Sequence, residues 1–66
     1  MNSKQVYDSD TYPYNGEWVL YYFTPFEKWY SGRFTMENGI PYVDSKYGFT
    51  TWNSEVGCWM KGAGDV

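Results

Sequence analysis

The sequence predicts an all-β domain: a small antiparallel β-meander of four to five strands, rolled into a curled sheet or an SH3-like barrel. Three observations predict it. The longest apolar run, Trp18-Val19-Leu20-Tyr21-Tyr22-Phe23, is aromatic and β-branched and has the length of a strand. Residues from Tyr30 to Met36 alternate in polarity with a period of two. Asn38-Gly39 stands between two alternating segments, the strongest short-range hairpin cue. No segment of useful length has a helical period, and no internal repeat is present.

Taken in order, residues 1–10 read as a flexible tail, because Asp8-Ser9-Asp10 and the nearby Pro13 discourage regular structure. Tyr12 and Tyr14 are expected to fold back on the domain, and Tyr14-Asn15-Gly16 to turn the chain into the first strand. The run Trp18 to Phe23 is apolar on both faces. Such a strand is central, with the core on one side and another covering, from this chain or a partner, on the other. Thr24-Pro25-Phe26-Glu27 fits a type I turn with proline at its second position.

Lys28 to Met36 then forms the second strand. Tyr30, Gly32, Phe34 and Met36 share one face; Trp29, Ser31, Arg33 and Thr35 share the other. A glycine in mid-strand points to a bulge or a close approach at Gly32. A two-residue turn at Asn38-Gly39 sets Glu37 opposite Ile40, Met36 opposite Pro41, Thr35 opposite Tyr42, Phe34 opposite Val43 and Arg33 opposite Asp44. Pro41 then lies at a non-hydrogen-bonded position, so the third strand is an edge there or carries a bulge. Asp44-Ser45-Lys46 reads as a turn, Tyr47 to Trp52 as a fourth strand closed by Asn53-Ser54, and Val56 to Met60 as a short fifth strand or a tuck over the core. The β domain spans 11–60, and 61–66 is a second flexible tail.

Sixty-six residues make one domain. The net charge of −3 and the pI near 4.5 disfavour direct nucleic-acid binding, because phosphate repels an acidic surface. The basic residues Lys4, Lys28, Arg33, Lys46 and Lys61 form no run. A single cysteine, Cys58, allows no intrachain disulfide and argues for a reducing compartment. The first residues lead into no apolar stretch, and no run has membrane-spanning length. A cytoplasmic protein of a host cell is the expectation, with no membrane partner.

Neither a metal nor another cofactor is assigned. With no histidine and one thiol, a zinc site or a Cys–His nucleophile within one chain has no ligands. Glu17, Glu27, Glu37 and Glu55 sit beside turns and strand ends and read as solvated acids rather than acid–base catalysts. Gly62-Ala63-Gly64 has no following helix and is no phosphate loop. Cys58, between Gly57 and Trp59, reads as a small buried hydrophobe. No catalytic residue follows, and the chain reads as no enzyme.

The aromatic content, 24% of residues, is the functional signal. Roughly ten of the sixteen rings suffice for a core in so small a domain. The rest, with Tyr21, Trp29, Tyr30, Tyr42, Tyr47 and Trp52 as candidates, are expected at the surface. Tyr, Trp and Arg dominate binding hot spots. The face carrying Trp29, Arg33 and Tyr42, opposite the Phe34–Val43 face, is therefore the candidate partner-binding surface. A second layer of core on that face is the competing reading.

Gly16, Val19-Leu20, Tyr30-Ser31-Gly32-Arg33-Phe34 and Trp59-Met60 follow one another in an order that resembles a loose family of small phage and prophage proteins of unknown function. The similarity covers residues 16–60. The chain departs from the family's pattern where Gly57-Cys58 replaces a Thr-His, and it lacks a Pro-Leu-Pro tail. The resemblance implies a phage origin and a β fold, and it brings no catalytic residue. By analogy with small acidic phage proteins, it implies a non-enzymatic protein that binds and inhibits or modulates a host protein, such as a defence nuclease or a CRISPR effector. Two alternatives stand beside it. One is an aromatic platform for a sugar or a single-stranded nucleic acid; the other is a structural or assembly protein acting as a homodimer or larger homo-oligomer.

Overall fold

The computed structural model describes residues 5–62. Six strands and one helical turn follow in order: β1 (Val6–Asp8), β2 (Trp18–Phe23), β3 (Lys28–Glu37), β4 (Ile40–Ser45), β5 (Gly48–Thr51), α1 (Trp52–Glu55) and β6 (Val56–Lys61). They make one antiparallel sheet in the order β1-β6-β2-β3-β4-β5. The apolar run β2 is central, between β6 and β3.

The β3–β4 hairpin has the register that Asn38-Gly39 dictates, from Glu37 opposite Ile40 to Arg33 opposite Asp44. Asn38 and Gly39 both take positive φ, 53° and 77°, as a type I′ turn requires. At Thr24–Glu27 the Glu27 amide donates to the Thr24 carbonyl at 3.2 Å, closing the turn between β2 and β3. β5 pairs with β4 only from Tyr42 onward, so the missing N–H of Pro41 faces no strand. Gly32 carries no bulge. A Cβ there would lie 2.5 Å from Val43 Cγ1 and 3.0 Å from the Asp44 carbonyl oxygen, so the close approach is what excludes a side chain.

The short connection α1 shapes the sheet. In a flat sheet β5 and β6 would stand four strand spacings apart, roughly 19 Å at ~4.8 Å each. Four helical residues advance only about 6 Å. The sheet therefore curls, bringing the β5–α1 end over β6. It does not close: among the described residues no ladder joins the edge strands β1 and β5. The curled sheet, not the barrel, is the architecture.

The concave face holds the core of Val19, Tyr21, Phe34, Val43, Trp52, Val56 and Trp59. Trp52 packs edge-on against Phe34 at 4.9 Å and against Trp59 at 6.2 Å. The N-terminal segment closes the open end of the curl. The Trp52 indole donates to the Ser9 carbonyl at 2.6 Å and the Trp59 indole to the Thr11 carbonyl at 2.7 Å. Tyr12 folds back as expected, with its hydroxyl donating to Asn53 Oδ1 at 3.1 Å, whereas Tyr14 stays largely exposed.

Four expectations are corrected. Val6–Asp8 is not tail but β1, paired with Met60 to Cys58 of β6, because Tyr7 stacks on Trp59 at 4.6 Å. The strands number six, since β1 adds one at the edge and Val56–Lys61 is a full inner strand, beginning where the predicted tuck begins and ending one residue after it. Tyr21 and Trp52 are not surface rings; both are buried in the curl. Lys61, expected in the C-terminal tail, is the last residue of β6, and the Gly62 amide donates to the Trp18 carbonyl at 3.0 Å; residues 1–4 and 63–66 of the expected tails lie outside the described residues.

Candidate functional site

Strand alternation gives the sheet a second, convex face. Across β2, β3, β4 and β5 the register aligns Trp18, Arg33, Asp44 and Phe49 in one row. One row along, Leu20 stands opposite Ser31, and beyond it Tyr22 stands opposite Trp29. These side chains point away from Val19, Tyr21, Phe34 and Val43, which fill the core. No element of the described chain lies over them to make a second layer. Trp18 is 46% and Trp29 43% exposed.

Between the two indoles and the β4–β5 turn runs a groove of about 640 Å³. Ser31 and Arg33 line it from β3, Asp44 from β4, and Lys46 and Tyr47 from the turn. Arg33 is held in place: its Nε donates to the Gly16 carbonyl at 3.2 Å, which leaves the rest of the guanidinium facing solvent. Trp29 rests edge-on against Tyr22 at 5.5 Å. Lys46 Nζ lies 5.5 Å from the centre of the Tyr47 ring, within cation–π range. The groove thus presents two indoles with charged groups of both signs between them, of which Arg33 is tethered.

Of the three residues the sequence nominates, Trp29 and Arg33 line this groove and Tyr42 does not. Tyr42 shares the convex face but packs edge-on against Phe49 at 5.2 Å, and its hydroxyl donates to Glu37 Oε1 at 3.2 Å. Partial loss of hydration, then the Glu37 hydrogen bond and charge, hold its phenol above the usual tyrosine pKa. Trp18 and Lys46 are groove residues that the sequence reading passed over, and Tyr47, nominated there only as an exposed ring, joins them. A signal for Trp18 was present: a four-residue turn at Thr24–Glu27 sets Phe23 opposite Lys28, and counting back sets Trp18 opposite Arg33.

Other reactive groups lie apart from the groove. Cys58 is half-buried opposite Asp8; burial, then the Asp8 charge, pushes its thiol up and keeps it protonated. Glu17 and Lys61 form an ion pair at 2.9 Å. Partial burial raises the Glu17 pKa, and the Lys61 and Tyr14 hydrogen bonds and the Lys61 charge outweigh it, so the carboxyl sits below its usual value. Among the described residues no group of three or more His, Cys, Asp and Glu could hold a metal ion. No helix there is long and apolar enough to cross a membrane.

No protein-family model, curated protein or solved structure matches this chain.

Proposed function

We propose that this chain is a non-enzymatic binding protein that takes a partner protein on its convex sheet face, in the groove between Trp18 and Trp29. The exposure of those two indoles beside a tethered Arg33 carries the reading. Trp and Arg are the residue types that dominate hot spots, and a fixed side chain loses little entropy when a partner arrives. The core needs nothing from this face, because the concave side holds its complete apolar set.

The resemblance to phage proteins makes the target a host protein, and binding its inhibition or modulation. The chain's net charge of −3 suits a basic, nucleic-acid-handling target, since opposite charge speeds encounter. The test is capture from a host lysate with immobilised wild type and with Trp29→Ala. A host protein retained by wild type and lost with Trp29→Ala supports the reading; equal retention by both overturns it.

The groove's mixture of Ser31, Arg33 and Asp44 between indoles also favours a second reading, an aromatic platform for a sugar or a single strand. Quenching of tryptophan fluorescence by oligosaccharides or oligonucleotides, absent in Trp29→Ala, would select it.

A further inference from the structure

The edge strand β5 is open and, apart from being only four residues long, carries none of the usual guards along its length. Gly48-Phe49-Thr50-Thr51 contains no charge and no proline, although natural edges are commonly blunted by both. Lys46-Tyr47 is a two-residue turn, so Ser45 and Gly48 form a hydrogen-bonded pair. Alternation then turns the backbone groups of Tyr47, Phe49 and Thr51 away from β4. Two of these outward amides are satisfied within the chain. Tyr47 N–H donates to Ser45 Oγ at 3.1 Å, and Thr51 N–H to Glu55 Oε1 at 3.0 Å. Phe49, between them, offers both its N–H and its C=O, and its ring is 74% exposed.

We infer that β5 pairs with β5 of a second copy of this chain, antiparallel, with Phe49 on the two-fold axis. A two-fold contact must be self-complementary, and one residue that offers a donor and an acceptor side by side meets that condition with two reciprocal hydrogen bonds. The neutral seam brings no like charges together, although each chain carries −3. The same register sets Lys46 of each copy against the α1 end of the other, toward Glu55, so the flanking charges are opposite and occur twice. The two Phe49 rings meet across the axis. Beside that edge, an apolar pocket of about 210 Å³ bordered by Phe23, Phe26, Tyr47 and Phe49 is covered by the second copy. This contact shares Lys46 and Tyr47 with the rim of the Trp18–Trp29 groove but uses neither indole.

Sedimentation equilibrium of the full chain across the micromolar range tests the inference. Wild type sediments as a dimer and Phe49→Lys as a monomer. Val6→Lys, which puts the same charge on the opposite edge strand at a side chain 53% exposed, stays a dimer. Amide exchange at Phe49 in wild type slows roughly tenfold or more as the dimer forms, a readout that holds even if Phe49→Lys fails to fold. A wild type that is monomeric throughout, a folded Phe49→Lys that remains dimeric, or Phe49 exchange that ignores concentration overturns it.

Discussion

The indole N–H of Trp59 donates to the carbonyl oxygen of Thr11, 48 residues away in sequence, at 2.7 Å. With the Trp52–Ser9 bond and the Tyr7–Trp59 stack, it makes the N-terminal segment a structural part of the curl. Removal of residues 1–10 deletes β1 and leaves the Trp52 indole without its acceptor. A lost hydrogen bond at a buried donor costs about 1–3 kcal/mol, and the stack contributes about 0.5–1.5. The shortened chain should melt roughly 6 °C or more lower by circular dichroism, at ~4–8 °C per kcal/mol for a domain of this size. An unchanged melting temperature would show that the segment is the tail its composition suggests.

Gly32→Ala should destabilise by about 1–3 kcal/mol, as overpacking does in well-filled cores. The new methyl meets Val43 Cγ1, on a stiff β-branched side chain, and the backbone of Asp44. Val43→Ala should be less damaging in the Gly32→Ala background than alone, giving non-additive denaturation free energies. Additive values would place the clash elsewhere.

Two turn positions share one backbone rule with opposite outcomes. Gly39 has φ of 77°, and Gly39→Val should lose about 1 kcal/mol or more in a thermal melt. Glu27 holds φ of 55° with a side chain that pays the left-handed cost, so Glu27→Asn should be neutral to slightly stabilising. A destabilised Glu27→Asn would mean that the glutamate side chain contributes more than its strain.

The β3–β4 hairpin was legible because one turn type at Asn38-Gly39 fixes every pair from Glu37–Ile40 to Arg33–Asp44 by counting. The same counting, carried back from Thr24–Glu27, places Trp18 beside Arg33. The curl was not legible. It depends on how few residues join β5 to β6, and only its closure buries Tyr21 and Trp52, which look like surface rings when each strand is read alone. β1 was hidden for a related reason: Val6 and Tyr7 favour strands, but three residues running into Asp8-Ser9-Asp10 are too short to read as one alone, and the segment is recruited by Trp59. Tyr42 was grouped with Trp29 and Arg33 by alternation, which gives the face but not the position along it.

The Glu17–Lys61 pair predicts a pH dependence. A carboxyl whose folded pKa is depressed adds stability that is present above its unfolded value, about 4.3, and is lost as pH falls through the lower folded value. Wild type should therefore lose stability over that acid range more steeply than Glu17→Gln, measured by urea denaturation at stepped pH. Parallel profiles would remove the pair from the acid response. Lys61, held above its usual pKa first by the Glu17 hydrogen bond, contributes in the opposite limb, and that contribution is lost only as pH rises through its folded value.

On the proposed function, the convex face serves binding and is dispensable to the fold. Trp29→Ala, measured for melting temperature and for host-protein capture on the same preparation, tests it most directly. Loss of the edge-on contact with Tyr22 should cost about 1 kcal/mol, against about 3–5 for Phe34→Ala in the core. The expected result is a folded Trp29→Ala that no longer captures the host protein held by wild type. A folded Trp29→Ala that captures that protein as well as wild type does, or one that unfolds as Phe34→Ala does, would contradict it.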